Sequence, residues 1–227
     1  MFCFFIGSCF GSLLCVIAQR VPLKKDFITT RSQCDHCNNT LRFWELIPIF
    51  SYLFLGFRCQ RCGGRIPVIT WLIEIIYGGI FYFCWVQPTI SMQLIAFLWL
   101  TTATLLSLTD YFYFLVEPKI LYPLHLLLWS IMFYFHQPFY LSTLSLLVIL
   151  GIFFWFSLRD SMGMGDWLLL GLWVPWLTIE QFSLLLFVAS VSALGVFFVS
   201  YFLRKTHFQC LPFVPFLSLG LFVAYFL

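Results

Sequence analysis

The chain has 227 residues, of which 62% are hydrophobic and only 9% charged, with 30 Phe and a formal net charge of +3. So apolar a chain has too little polar surface to cover a water-soluble globule, which excludes a soluble enzyme. The expected fold is an all-α polytopic membrane protein.

Eight apolar runs are long enough, or nearly so, to span hydrocarbon. They are Cys3–Ala18, Pro67–Val86, Met92–Leu108, Ile120–Phe135, Phe139–Phe156, Asp166–Ile179, Phe182–Leu203 and Cys210–Leu227, the sixth short and interrupted by Pro175. The first run has no basic stretch before it and no small-residue cleavage site after it, and is expected to be a retained anchor rather than a cleaved signal peptide. Within it, Gly7 and Gly11, each followed by a serine (Ser8, Ser12), form a small-xxx-small face suited to close helix packing.

The twelve Lys and Arg (Arg20, Lys24, Lys25, Arg31, Arg42, Arg58, Arg61, Arg65, Lys119, Arg159, Arg204, Lys205) all fall after odd-numbered or before even-numbered runs. The loops near Gln87–Ser91, His136–Pro138 and Thr178–Gln181 carry none. By the positive-inside rule the basic segments face the cytoplasm and both termini face out. The net positive charge therefore reflects topology, and no direct nucleic-acid partner is expected.

Between the first two runs lies a polar, turn-rich segment, Gln19–Arg65, holding Cys34-x-x-Cys37 and Cys59-x-x-Cys62. Two such pairs have the spacing of a four-thiolate zinc site, each knuckle giving two ligands to one tetrahedral ion. A reducing cytoplasm disfavours structural disulfides. Two separate thiol pairs or a redox role are the other readings. Four thiolates leave zinc no open position, so a structural role is expected. His36 is expected to face solvent, and Cys3, Cys9, Cys15, Cys84 and Cys210, all in apolar runs, to be small buried hydrophobes.

Carboxylates in apolar surroundings are costly unless paired or used. Glu74, Asp110, Glu117, Asp160 and Asp166 cluster at or near the membrane. Asp110 closes the third run and Asp166 opens the sixth, so the two lie at similar depth on one side, where they could meet. A facing pair could share one proton and activate water; alternatively Asp166 only caps its helix. Gly163 and Gly165 would let the backbone turn and approach a partner before the helix starts. His125 is expected to be a hydrogen-bonded helix contact. No internal repeat, low-complexity linker or nucleotide-binding glycine loop is apparent.

Several stretches resemble the type IV prepilin peptidases, also called prepilin leader peptidases, including members that process competence pseudopilins. "GMGD" at Gly163–Asp166 resembles the family's GxGD motif, and "LTDYFYFLVEP" its first catalytic-aspartate segment. "FFIGSCFGSLLCVIAQRVP", the cysteine segment running into the helix that bears Glu74, and "LPFVPFLSLG" are similar to its other signatures. The resemblance implies a plasma-membrane aspartyl endopeptidase, with Asp110 and Asp166 catalytic and Gly163 and Gly165 supporting them. It would remove the basic leader of prepilins or pseudopilins after a Gly on the cytoplasmic side. Many members also methylate the new N-terminal amine with S-adenosylmethionine, for which Glu74 is a candidate; pairing with a cytoplasmic Arg is the other reading of that residue. The domains drawn on this basis are 1–18, a first transmembrane helix; 19–66, a cytoplasmic zinc domain; and 67–227, the peptidase with seven further spans. Where many relatives have Ile-Pro-Asp, this chain has Val116-Glu117-Pro118, so Glu117 is given no catalytic role. Glu117 and Asp160 could instead attract a basic leader. Two other classes fit parts of the pattern: a GxGD protease cutting inside transmembrane helices, and a non-enzymatic membrane assembly or transport protein.

Overall fold

A computed structural model describes residues 1–26, 32–34, 36–157, 163–204 and 211–226. Arg31, Arg159, Asp160, Lys205 and Cys210 lie outside the described residues. The elements are helical: α1 (Phe2–Arg20), α2 (Phe50–Leu55), α3 (Val68–Val86), α4 (Ile90–Tyr113), α5 (Pro118–Tyr134), α6 (Leu141–Ser157), α7 (Met164–Trp173), α8 (Ile179–Arg204) and α9 (Val214–Phe226). Each of the eight apolar runs forms a helix, and α2 lies within the cysteine segment.

Among the described residues, four helices are long and apolar enough to cross a membrane: α1, α3, α4 and the Ile179–Phe202 stretch of α8. At about 1.5 Å of rise per residue, against roughly 30 Å of hydrocarbon, a helix needs about 20 residues to span. α5 and α6, with 17 residues each, are near the lower limit, and α9, with 13, falls short of it. α7 ends after 10 residues in a 3-10 turn, Val174–Trp176, around the proline the sequence flagged. The chain is a helical, multi-pass membrane protein.

Contacts gather into two units, Met1–Phe97 and Leu98–Leu227, so the division falls within α4 and α3 belongs with α1 and the cysteine segment. In the first unit α1 packs along α3 through small residues. A Cβ at Gly11 would lie 3.0 Å from the Ile73 carbonyl oxygen, and one at Gly78 would lie 2.7 Å from Ser8 Oγ. Phe10 stacks on Phe81 at 5.8 Å beside this seam. Without a hydrophobic force between helices in lipid, such close contact is what holds them together. One expectation fails here: Cys15 and Cys84 are buried, but Cys9 is exposed and Cys3 only half-buried. At about 100° per residue Cys9 falls on the side of α1 opposite Gly7, Gly11 and Ala18, and Cys3 falls at the flank of that seam, so neither is enclosed by α3.

In the second unit α4 and α9 run antiparallel. Trp99 meets Tyr225 at 4.5 Å between ring centroids, Ser107 Oγ lies 2.7 Å from Ser218 Oγ, and Asp110 meets Val214. α9 is clamped to α8 at Gly220, where any Cβ would collide with the Leu185 carbonyl oxygen. α5 holds α7 through two indole donors: Trp129 Nε1–H to the Leu172 carbonyl at 3.0 Å, and Trp173 Nε1–H to His125 Nε2 at 2.9 Å. His125 Nδ1–H donates to the Leu121 carbonyl at 2.8 Å, which fixes a neutral tautomer and makes this buried histidine a helix tie.

Candidate active site and cysteine centre

The cysteine segment folds as two copies of one ten-residue turn, Ser32–Leu41 and Phe57–Ile66. Cys34 N–H donates to the Asn39 carbonyl and Cys59 N–H to the Gly64 carbonyl. Asn38 N–H returns to Cys34, and Gly63 N–H to Cys59. Isolated antiparallel bridges close both turns, Gln33 with Thr40 and Arg58 with Arg65. Both knuckles need a left-handed residue just after the second cysteine, and they place Asn38 (φ 54°) and Gly63 (φ 68°) there, the two residue types that tolerate it best. This repeat is invisible in the sequence because only the cysteines are shared.

The two turns bring Cys34, Cys37, Cys59 and Cys62 together, with all four Sγ atoms within 4.8 Å of one another. The Cys34 and Cys62 sulfurs are 3.8 Å apart. That matches the edge of a tetrahedron with metal–sulfur bonds of about 2.3 Å, which is about 3.8 Å. The donor set therefore fits a four-thiolate ion. The Cys62 and Arg61 backbone amides pull the Cys59 thiol down to about 7. The Asn39 amide lowers Cys37 in the same way. Despite the Gly64 amide, which favours its thiolate, desolvation and the neighbouring sulfurs push Cys62 the other way, up to about 11, as expected where four thiols meet and compete to ionise. His36 is exposed.

Glu74 projects from α3 within the same unit and is 2% exposed. Its Oε2 accepts the Ile49 N–H at 2.8 Å, and Ser12 also hydrogen-bonds its carboxylate. Ile49 is held at φ 65°, ψ −53°, with Phe50 N–H bonded back to the Pro48 carbonyl. That is a γ-turn, strained for a β-branched residue. Glu74 thus pins a strained loop and lines a cavity of about 190 Å³, whose walls include Ser12, Arg20, Glu45, Tyr52 and Arg65.

In the second unit Asp110 ends α4 and Asp166 stands in the first turn of α7. Asp110 is 8% exposed. Its Oδ2 accepts the Val214 N–H at 3.0 Å, and the Phe213 N–H also donates to its carboxylate. These are the otherwise unpaired amides at the start of α9, where a negative charge also favours the helix dipole. Asp166 is half-buried, and its carboxylate accepts the backbone N–H of Gly163, the cap residue of α7, so it helps to cap its own helix as well as facing Asp110. The Asp166 and Asp110 carboxyls lie within reach of each other's charge.

Their register is set by a close approach. The backbone turns after α4 at Phe114 (φ 52°) and brings Val116 onto α7, where a Cβ on Gly165 would lie 2.7 Å from Val116 Cγ2. Gly163 differs: its φ is −63°, and a Cβ there would meet Asp166 Oδ2 at an ordinary 3.4 Å. Of the two motif glycines, only Gly165 is demanded by close packing. The α9 amides and Val116 were not foreseen from the residues. The "LPFVPF" stretch, with prolines on both sides of Val214, is the one signal for the α9 amides.

Residues 5–88 match the family model described as Bacterial Peptidase A24 N-terminal domain. A prepilin leader peptidase/N-methyltransferase of Myxococcus xanthus is 40% identical over 84 residues, 37% of this chain and 25% of that protein. One of Bacillus subtilis is 32% identical over 119 residues, 52% of this chain and 48% of that protein. One of Pseudomonas putida is 28% identical across 96% of this chain and 87% of its own length. The first two matches thus span half or less of those relatives' length. No solved structure matches the chain.

Proposed function

Since the chain belongs to the type IV prepilin peptidase family, we propose that it is a membrane aspartyl endopeptidase that removes the basic leader of prepilins or pseudopilins after a Gly, at the cytoplasmic face. The observation that carries this reading is the Asp110–Asp166 pair, two carboxyls within reach of each other's charge in a poorly solvated helical setting.

In this reading one carboxyl is ionised and the other protonated. The ionised one takes a proton from water as the oxygen attacks the scissile carbonyl, and the protonated one gives its proton to the carbonyl oxygen. The tetrahedral intermediate then breaks its C–N bond, with a proton passing to the leaving amine. The products are a leader with a C-terminal carboxylate and a mature chain with a new N-terminal amine. The Val214 and Phe213 amides hold the Asp110 carboxyl in place. Val116 against Gly165 keeps Asp166 in register.

The four cysteines would hold a zinc ion that fixes the two knuckles. When bound, S-adenosylmethionine supplies a methyl group to the new amine. The Glu74 cavity suits that molecule's charges, offering carboxylates (Glu45, Glu74) and arginines (Arg20, Arg65). In this reading Glu74 would accept the amine's proton.

The test is incubation of the purified protein and S-adenosylmethionine with a prepilin carrying a basic leader, followed by mass analysis of both fragments. Cleavage after Gly and a methylated mature N-terminus are expected. An intact substrate would overturn the peptidase reading. Cleavage without methylation would remove only the second activity. Glu74→Gln keeps a carbonyl acceptor for Ile49 N–H, and should still cut but leave the product unmethylated.

A further inference from the structure

Between its two knuckles the cysteine segment leaves a cluster of large apolar side chains uncovered. Phe43 is 83% exposed, Trp44 56%, Phe50 50%, Leu53 57% and Phe54 86%. Phe50, Leu53 and Phe54 stand at i, i+3 and i+4 of α2 and so share one face, while Ser51, off that face, is buried. The 3-10 turn Phe43–Leu46 packs beside α2. Surfaces facing water rarely expose so many large apolar side chains on two adjoining elements.

The segment is tied at both ends to membrane helices, α1 ending at Arg20 and α3 beginning at Val68, so it is held at the bilayer surface. From residue 21 to residue 67 the sequence has seven Lys and Arg (Lys24, Lys25, Arg31, Arg42, Arg58, Arg61, Arg65) against three acids (Asp26, Asp35, Glu45). The Arg42 guanidinium lies over the Trp44 ring, 5.4 Å from its centroid. Exposed aromatic side chains in a basic segment, one of them under a guanidinium, are the composition of an interfacial anchor. We propose that this face rests in the headgroup region of the membrane that α1 and α3 cross, with exposed basic side chains such as Lys24, Lys25 and Arg42 on anionic lipid phosphates. The cysteine centre is then a membrane-surface platform and not a freely moving cytoplasmic knob. The inference rests on the membrane reading of α1 and α3 and is independent of the peptidase.

The test places a benzophenone-bearing phenylalanine singly at Phe43, Phe54 and Phe187 of the full chain in vesicles containing phosphatidylglycerol. Phe187, 65% exposed on α8, marks a lipid-facing position. After irradiation, lipid adducts are expected at 43 and 54 in yields of the same order as at 187. Adducts at 187 alone, or protein adducts dominating at 43 and 54, would overturn the proposal. In vesicles of phosphatidylcholine only, the yields at 43 and 54 should fall relative to 187. Unchanged yields would overturn the role given to the basic side chains.

Discussion

At Gly165 one missing carbon decides the geometry of the aspartates, because Val116 occupies the space a side chain would need. Gly165→Ala should therefore cost about 1–3 kcal/mol through overpacking and reduce cleavage sharply. Gly163→Ala, where the added carbon meets Asp166 at an ordinary distance, should leave cleavage close to normal. Val116→Ala in the Gly165→Ala background should restore part of the loss, and the coupling is read as a double-mutant cycle of cleavage rates. Equal losses at both glycines would show that the contact with Val116 does not matter. The sequence made both glycines look alike; the asymmetry depends on a turn at Phe114 that propensity does not reveal, since Phe seldom takes positive φ.

Two elements carry the site without contributing chemistry, α9 and the paired knuckles. α9 brings amides to Asp110, and its position depends on Gly220 lying on the Leu185 carbonyl. Gly220→Leu should push α9 away from α8 and lower cleavage, although residue 220 is almost two turns from Val214. Cleavage unchanged in that variant would mean that the α9 amides do not hold Asp110 in place. In the knuckles, Cys34→Ser or Cys62→Ser should release metal that the purified protein otherwise carries at about one zinc per chain, because a site with three thiolates loses affinity and folding energy together. Metal content unchanged in both variants would reject the four-thiolate centre. The ligand spacing was legible in the sequence. The repeat of hydrogen bonds around it was not, because backbone groups of unrelated residues make it.

Across the whole molecule, the apolar runs and the cysteine quartet could be read from residue type and spacing, whereas the catalytic reading of the two aspartates comes from the family resemblance, because spacing alone also allows a helix cap. The pattern could not give helix length at the hydrocarbon core, the partition of α3 into the unit of α1, or the donors at Asp110, which come from residues more than a hundred positions away. The charge pattern predicts a topology. A membrane-impermeant thiol reagent added outside should label a cysteine introduced at Pro138 but not one introduced at Lys24; external labelling at Lys24 would reverse the orientation. The central claim is that Asp110 and Asp166 work as one catalytic pair. It is tested most directly by the rate of leader removal from a prepilin by wild-type protein, Asp110→Asn, Asp166→Asn and the double variant, each checked for membrane insertion and metal content. Loss of either carboxyl should lower the rate by roughly 10²–10⁴-fold, and the double variant should be no worse than the more impaired single one. Near-normal cleavage by either single variant would contradict it.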